Sequence, residues 1–252
     1  MVKDIRAKIL SNEKIGPMYF RMRVLFPGIS KSASPGQFVE VRCSEDTDPL
    51  LRRPLGVHRT KGKDEFEMLY EVVGKGTGLL SEKETGEKID ILGPLGNGYS
   101  LPTSEKGSLA ILVAGGIGVA PLFSLAEKLC QKKIKTIVLI GARTKDLILC
   151  EKDFKEIGAI VYTTTDDGTC GCKGLVSKLF EDTLAKNKAK NINVYACGPH
   201  VMLKCIALMC KDRKLDCQVS MEEKMACGIG ACLGCSVKVD SGNGAINKLA
   251  CK

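Results

Sequence analysis

The first hundred residues of the chain alternate between short apolar runs and clusters of turn residues. Three of these runs have the alternating or β-branched composition of strands: Gln37–Val41, Phe66–Val73 and Lys88–Leu92. Proline and glycine separate them, most clearly at Pro35-Gly36 and Gly93-Pro94. Short strands divided by turns are typical of antiparallel barrels, so we predict a closed β-barrel domain over residues 1–101.

The pattern changes after Pro102, where apolar strand candidates are separated by helical stretches. Five strands are expected there, at Leu109–Ala114, Thr136–Ile140, Ile160–Thr164, Asn193–Cys197 and Cys217–Met221. Strands that alternate with helices form parallel sheets with helices on their faces. We therefore predict an α/β domain over residues 102–220, followed by a small cysteine- and glycine-rich segment over residues 221–252.

One apolar segment approaches the length of a membrane span. Ser108–Ala126 carries no charged residue over its nineteen positions, and a bilayer requires roughly 20. Gly115, Gly116, Gly118 and Pro121 interrupt its centre, which favours a buried strand, a turn and the start of a helix. We predict no membrane span.

Net charge and cysteine content argue against a nucleic-acid-binding protein and against a protein held together by disulfides. The formal charge of +9 would suit nucleic acid, but the lysines are scattered without interleaved aromatics, so no nucleic-acid partner is expected. Thirteen cysteines are an odd number and exclude a complete disulfide framework. The first twelve residues contain no continuous apolar stretch, which predicts no secretory signal and a cytoplasmic protein with reduced thiols or metal ligands.

Four cysteines of the last region have the spacing of an iron–sulfur site. Cys232 follows Cys227 after four residues, Cys235 follows after two more, and Cys251 follows after another fifteen. This is the C-x4-C-x2-C…C arrangement of plant-type [2Fe-2S] proteins. A structural zinc site is the alternative, but zinc sites usually use paired C-x2-C knuckles. The remaining cysteines are expected in cores or as idle thiols.

The residues around these cysteines fit a cluster loop. Gly228, Gly230 and Gly234 allow a tight loop whose backbone N–H groups point at the sulfurs. Strands at 236–239 and 245–250, joined by a turn over Asp240–Gly244, would form a hairpin. Such a hairpin returns Cys251 to the other three cysteines.

A second motif indicates a dinucleotide site. The strand Leu109–Ala114 runs into Gly115, Gly116 and Gly118, and Pro121 opens the following helix. Helix N-termini present unpaired N–H groups that favour a pyrophosphate. Because Pro121 stands where the third glycine of the G-x-G-x-x-G fingerprint would be, the motif by itself is ambiguous.

The end of a later strand supports the same site. Cys197, Gly198 and Pro199 follow an apolar run, and in a parallel sheet that strand end faces the same crevice as the glycine turn. Cys197 is then a candidate contact for a nicotinamide ring, with a buried thiol as the alternative. No certain catalytic residue is expected, since His58 and His200 lack a partner motif.

Together these features resemble the ferredoxin–NADP reductase superfamily. Within it, RRP at Arg52–Pro54, YxVxGKGT at Tyr70–Thr77 and MACGIGACLGC at Met225–Cys235 are similar to the electron-transfer subunits of type B dihydroorotate dehydrogenase. The resemblance covers nearly the whole chain, including PGQFVEV at Pro35–Val41 and TDDGTCGCKG at Thr165–Gly174. Each motif alone occurs in other proteins, and only their combination is specific to this family.

The resemblance implies three cofactors. FAD would be bound by Arg53, Pro54, Leu55, Gly56, Tyr70, Glu71, Val72, Gly76 and Thr77; NAD(H) by Gly115, Gly116, Gly118, Cys197, Gly198 and Pro199; and a [2Fe-2S] cluster by Cys227, Cys232, Cys235 and Cys251.

The resemblance also implies how the FAD residues act. Arg53 would pair with the pyrophosphate as a bidentate donor, and Tyr70–Val72 would contact the flavin through backbone groups. Gly76 and Thr77 would hold the phosphate through N–H and hydroxyl groups. The family usually has serine at the position of Gly56, so a backbone N–H or water must replace that hydroxyl near flavin N5.

An electron-transfer function follows from the same resemblance. A nicotinamide exchanges two electrons and a [2Fe-2S] cluster one, so a flavin has to stand between them. Electrons would leave dihydroorotate at the FMN of a separate catalytic subunit, pass through the cluster and FAD of this chain, and reduce NAD⁺. The expected assembly is a heterotetramer of two chains of each kind.

Two alternatives remain open. The same cofactors would serve another oxidoreductase partner, such as a sulfite-reducing, hydrogen-metabolising or pyrimidine-catabolic one. A ferredoxin-like carrier without flavin is the second, and flavin absorbance that bleaches with NADH would distinguish it from a reductase.

Overall fold

The computed structural model describes residues 2–103, 107–187, 189–240, 242 and 244–252. It divides into two compact units. The first consists of Met1–Gly98 and Glu222–Lys252, and the second of Tyr99–Met221. The cysteine-rich segment is therefore grouped with the N-terminal residues.

An antiparallel sheet forms most of the first unit. Its seven strands are β1 (Lys3–Lys14), β2 (Tyr19–Leu25), β3 (Phe38–Val41), β4 (Arg53–Gly56), β5 (Arg59–Lys61), β6 (Glu65–Glu71) and β7 (Lys88–Leu95). They are arranged in the order β4-β3-β7-β1-β2-β6-β5. Two short helices, α1 (Ile29–Ser32) and α2 (Lys75–Ser81), interrupt the strands. The long central strand β1 was not singled out from the sequence, although its apolar and charged residues alternate.

The sheet closes through one bent segment, residues 53–61. The first half of the segment, β4, pairs with β3, and the second half, β5, pairs with β6. Between them the N–H of Val57 donates to Gln37 O and the N–H of His58 donates to Glu67 O, both at 2.9 Å. The segment changes partner within two residues and joins the two ends of the strand order. The predicted barrel is confirmed.

Apolar side chains fill the barrel interior. The fully buried members of this core include Ile9, Met22, Val24, Phe26, Val39, Phe66, Met68 and Ile91. Removal of these side chains from water is the main driving force for closing the sheet.

A parallel sheet of six strands forms the second unit. The strands are β8 (Ser108–Gly115), β9 (Lys135–Ala142), β10 (Ile160–Thr165), β11 (Cys172–Lys173), β12 (Asn191–Cys197) and β13 (Asp216–Ser220), in the order β11-β10-β9-β8-β12-β13. Helices α3 (Val119–Gln131), α4 (Glu151–Glu156), α5 (Val176–Lys186) and α6 (His200–Asp212) connect them. The order along the chain reverses between β8 and β12, which is where open parallel sheets form a ligand crevice.

The long apolar segment of the sequence lies in this unit. Every residue of β8 is buried, a 3₁₀ turn follows at Gly116–Gly118, and α3 begins at Val119. Among the described residues no helix is long and apolar enough to cross a membrane.

The predicted hairpin of the cysteine-rich segment is present as β14 (Ser236–Asp240) and β15 (Ala245–Leu249). Its antiparallel register places Ser236 opposite Leu249. Ser241 and Asn243 of the predicted turn lie outside the described residues.

Candidate functional site

The two motifs predicted to bind a dinucleotide meet at the carboxyl ends of β8 and β12. A Cβ on Gly118 would lie 2.2 Å from the carbonyl oxygen of Cys197, so only glycine lets these two segments touch. A Cβ on Gly198 (φ +150°) would lie 2.9 Å from the nitrogen of Gly115, and one on Gly115 would lie 2.7 Å from Cδ of Pro199. The glycine turn and the Cys-Gly-Pro bend therefore form one backbone-lined site at the point where the strand order reverses.

Gly116 and Cys197 of this site differ in the space around them. Gly116 adopts a left-handed φ of +54°, and a Cβ there would meet no atom within 4 Å. The side chain of Cys197 is fully buried, so a contact between its thiol and a nicotinamide stays a prediction.

The predicted FAD residues form a second cradle in the barrel unit. Arg53 and Pro54 lie on β4, and Gly76 and Thr77 open α2. A Cβ on Gly76 would lie 2.8 Å from Nε of Arg53, so the guanidinium rests directly on the first turn of the helix. The Arg53 NH1 group donates to the carbonyl of Leu51 at 2.6 Å, which helps to fix the guanidinium there. A cation beside the start of a helix fits the pyrophosphate of FAD.

Thr77 has a role that the sequence did not indicate. Its hydroxyl oxygen accepts the N–H groups of Val73 (3.0 Å) and Gly74 (3.3 Å) and donates to Gly74 O (3.2 Å). The hydroxyl thus caps α2, and its hydrogen bonds are made to the protein backbone.

The side chain of Tyr70 belongs to the barrel core, and its predicted contact with the flavin is through the backbone. Its ring stacks on Phe20 with a centroid distance of 5.6 Å, and its hydroxyl donates to Asn12 Oδ1 at 2.9 Å. Burial raises the pKa of Tyr70 to about 12. Asn12 in turn donates to the carbonyls of Leu80 and Lys83, both at 2.9 Å. Asn12 therefore ties the end of α2 to β6, and sequence reasoning missed it because an isolated asparagine in a strand carries no motif.

The cysteine loop directs backbone donors at its first sulfur. Cys227 Sγ accepts the N–H of Cys232 at 3.4 Å and those of Ile229 and Ala231. These hydrogen bonds, led by that from Cys232, lower the pKa of Cys227 to about 6. Gly228 (φ +65°) takes the left-handed conformation that the tight loop requires. The loop thus favours a thiolate, the form of cysteine that binds metal.

The four cysteines are brought together as two sulfur pairs. Cys227 forms a side-chain hydrogen bond with Cys232, and Cys235 Sγ lies 3.2 Å from Cys251 Sγ. The second pair follows from the hairpin, since the N–H of Ala250 donates to Cys235 O at 3.0 Å. Burial and the neighbouring Cys235 thiol raise the pKa of Cys251.

Two pairs suit two metal ions better than one. A [2Fe-2S] cluster takes four cysteine ligands shared between two irons, whereas structural zinc draws four ligands around one ion. The donor set and its pairing therefore fit the cluster.

Glu40 is a buried charged residue beside this loop that sequence reasoning did not select. A Cβ on Gly228 would lie 2.7 Å from its Cγ and 2.8 Å from its Oε1. Burial raises the pKa of Glu40 to about 7, while the nearby Arg52 lowers it and Cys227 raises it. Its position in an alternating strand gave no signal of burial.

The fold and these three gathered sites define a nicotinamide- and flavin-dependent oxidoreductase with an attached iron–sulfur segment. Residues 112–207 match the family model of an oxidoreductase NAD-binding domain. Residues 222–252 match that of the iron–sulfur cluster binding domain of dihydroorotate dehydrogenase B.

Full-length relatives give the family. The chain is 42% identical to the dihydroorotate dehydrogenase B (NAD(+)) electron transfer subunit of Desulforamulus reducens, over 100% of this chain and 95% of the relative. It is 38% identical to the same subunit of a Geobacillus species, with the same coverage of both chains. The chain belongs to the family of dihydroorotate dehydrogenase B electron transfer subunits.

Solved structures agree with this fold. A structure of an NADH-dependent reduced ferredoxin-NADP oxidoreductase, described for flavin-based electron bifurcation, matches with a TM-score of 0.85 and 35% identity over 98% of this chain and 86% of that chain. A ferredoxin reductase of carbazole 1,9a-dioxygenase shares the fold at a TM-score of 0.74 and 16% identity, over 86% and 69% of the two chains. The predicted fold class, electron-transfer function and cofactors NAD, FAD and [2Fe-2S] are confirmed.

The first prediction concerns the cluster. Cys232→Ser should abolish [2Fe-2S] assembly, because one iron loses a thiolate, while FAD content and NADH oxidation with an artificial acceptor are retained. Iron content and visible absorbance of the purified chain measure this. Cys205→Ser, which removes an exposed thiol of α6, is the matched control and should keep its iron. Loss of FAD together with the cluster would contradict independent loading of the two sites.

The second prediction concerns the FAD cradle. Arg53→Ala should weaken FAD binding about ten- to hundredfold, because a charge-assisted contact of roughly 1.5–3 kcal/mol is lost. Flavin content after dialysis and the FAD dissociation constant measure the effect. Arg42→Ala, at an exposed position next to β3, should retain FAD, and equal retention by both variants would remove Arg53 from the site.

The third prediction concerns the glycine contact of the second unit. Gly118→Ala should destabilise the protein by about 1–3 kcal/mol and weaken NADH binding, because the new methyl group overlaps the Cys197 carbonyl. Thermal unfolding and NADH titration test both effects. In Gly78→Ala, where a Cβ meets nothing within 4 Å, the melting temperature should hold or rise slightly. An unchanged melting temperature in Gly118→Ala would show that the two segments separate at little cost.

Proposed function

We propose that this chain conveys electrons from the FMN of a dihydroorotate-oxidising catalytic subunit to NAD⁺. The bound cluster supplies one-electron exchange with the partner, and the bound FAD supplies the conversion to two-electron exchange with the nicotinamide. The names of the full-length relatives support dihydroorotate as the source of the electrons.

One observation carries the proposal: the cluster loop and the flavin cradle are built on adjacent strands of one barrel. Gly228, next to the ligand Cys227, packs on Glu40 and Leu95. Glu40 lies on β3 directly opposite Pro54 of β4, the strand that carries Arg53. In this proposal the one-electron and two-electron sites therefore lie on neighbouring strands of the same sheet.

Three groups of residues divide the work in this proposal. Residues 1–101 bind FAD through Arg53–Gly56, Tyr70–Val72, Gly76 and Thr77. Residues 102–220 bind NAD(H) at Gly115, Gly116, Gly118 and Cys197–Pro199. Residues 221–252 bind the cluster through Cys227, Cys232, Cys235 and Cys251.

We place the partner at the cluster loop. Cys232 is exposed there, and Ile229 and Leu233 expose 46% and 63% of their surfaces beside it. Exposed apolar residues around a redox centre suit a protein interface that excludes water and shortens the transfer distance. We further propose a cytoplasmic heterotetramer of two electron-transfer and two FMN-containing chains.

A second candidate function has a specific observation in its favour. The NADH-dependent reduced ferredoxin-NADP oxidoreductase structure is 35% identical over 98% of this chain, so the same cofactors would also serve an oxidoreductase partner of another kind. The identity of the protein that co-purifies with the native chain separates the two candidates.

The fourth prediction tests the division of labour. The isolated chain should oxidise NADH with artificial acceptors but should not oxidise dihydroorotate. The reason is that its described residues offer no acid/base pair for C–H abstraction outside the FAD and NAD(H) sites. Dihydroorotate-dependent reduction of NAD⁺ should appear when an FMN-bearing dihydroorotate dehydrogenase subunit is added. The cluster-free Cys232→Ser variant should fail to restore this activity. Dihydroorotate turnover by the purified chain alone would overturn the proposal.

A further inference from the structure

A carboxyl group is enclosed beneath the cluster loop without a partner. Glu40 has no exposed surface. Both of its carboxyl oxygens lack a hydrogen-bond partner among the described residues. Buried charged groups are almost always paired, because an unpaired one costs several kcal/mol in lost hydration. Stability therefore does not explain the burial of this carboxyl group.

Neither the neighbouring strand β4 nor the nearby arginines donate a hydrogen bond to the Glu40 carboxyl group. Opposite Glu40 on β4 stands Pro54, which has no N–H to donate. The positive charges of Arg52 and Arg53 are close enough to act on the carboxyl. Their hydrogen bonds, however, go to other acceptors: Arg52 donates to Asp90 O at 3.1 Å, and Arg53 donates to Leu51 O. The two arginines partly offset the negative charge of Glu40 without forming a hydrogen bond to its carboxyl group.

The cluster loop covers the remaining side of Glu40. The chain passes over the carboxyl at Gly228, where even a methyl group would lie 2.8 Å from Oε1. The adjacent Cys227 is electrostatically coupled to Glu40. A carboxylate at this place acts on the first ligand of the cluster through a medium with little water, where charges interact far more strongly than in solvent.

We propose that Glu40 is a positioning residue that acts through Cys227 to hold the cluster at a low reduction potential. Net charge and solvent access are among the factors that set the potential of a protein-bound cluster. When ionised, the Glu40 carboxylate opposes the arrival of an electron at an already anionic site, so the potential falls. The inference rests on the proposed function, in which a low cluster potential favours onward delivery of the electron to the flavin.

The test is the midpoint potential of the cluster in full-length protein carrying its cofactors, measured by EPR-monitored redox titration at a single alkaline pH that is the same for every variant. Glu40→Gln keeps the shape of the side chain and removes its charge. The variant should retain cluster and flavin content and show a clear shift to a more positive potential. Glu40→Asp keeps the charge and should remain close to the native potential.

Glu67→Gln is the matched control. Glu67 is a buried carboxylate on β6 of the same barrel, and it is paired with Lys61 at 3.1 Å. Its neutralisation should leave the midpoint potential unchanged, which separates a local effect from a general effect of charge removal.

Three results would overturn the inference. The first is an unchanged potential in Glu40→Gln with an intact EPR signal, and this result leaves the proposed function standing. The second is loss of the cluster in both Glu40→Gln and Glu40→Asp, which would assign Glu40 to packing alone. The third is the absence of any [2Fe-2S] signal in the native chain, which would remove the proposed function as well.

Discussion

At Gly118 the backbone of one segment comes so close to the carbonyl of Cys197 that no side chain fits between them. A glycine also makes a close contact at each of the other two predicted sites, where Gly76 lies under the guanidinium of Arg53 and Gly228 lies on the side chain of Glu40. Each contact joins a loop or helix start to a strand that is distant in sequence. The contact at Gly118 is between two backbones and requires glycine. The other two contacts set a glycine against the end of a long side chain.

Groups of opposite electrostatic sign act on the cluster loop. Backbone N–H groups converge on Cys227 and favour its thiolate, which is the state required to bind iron. Glu40 contributes the opposite sign of potential from the barrel side, and Arg52 and Arg53 moderate it. The balance of these groups determines how readily an electron enters the site, and it is set by the barrel as much as by the cysteine loop.

Much of the architecture could be predicted from the chain alone. Apolar periodicity identified the parallel strands and the barrel, and cysteine spacing identified the cluster hairpin, because both signals are local. Glu40 could not be found in this way. In the run from Val39 to Val41 all three residues are buried, which breaks the alternation expected of a strand with one wet face. The outer face of β3 is covered by the cluster loop, a contact between residues almost two hundred positions apart.

The sequence by itself determined the family and the cofactor classes and predicted the four cysteine ligands, because glycine and cysteine at fixed spacings carry specific backbone and metal chemistry. Tertiary structure decided how those pieces act on one another. It paired the sulfurs as Cys227 with Cys232 and Cys235 with Cys251. It engaged the Thr77 hydroxyl in a helix cap and set the carboxyl group of Glu40, which has no hydrogen-bond partner among the described residues, beneath the cluster loop. Such effects follow from burial and from long-range contacts, which no local pattern of residues encodes.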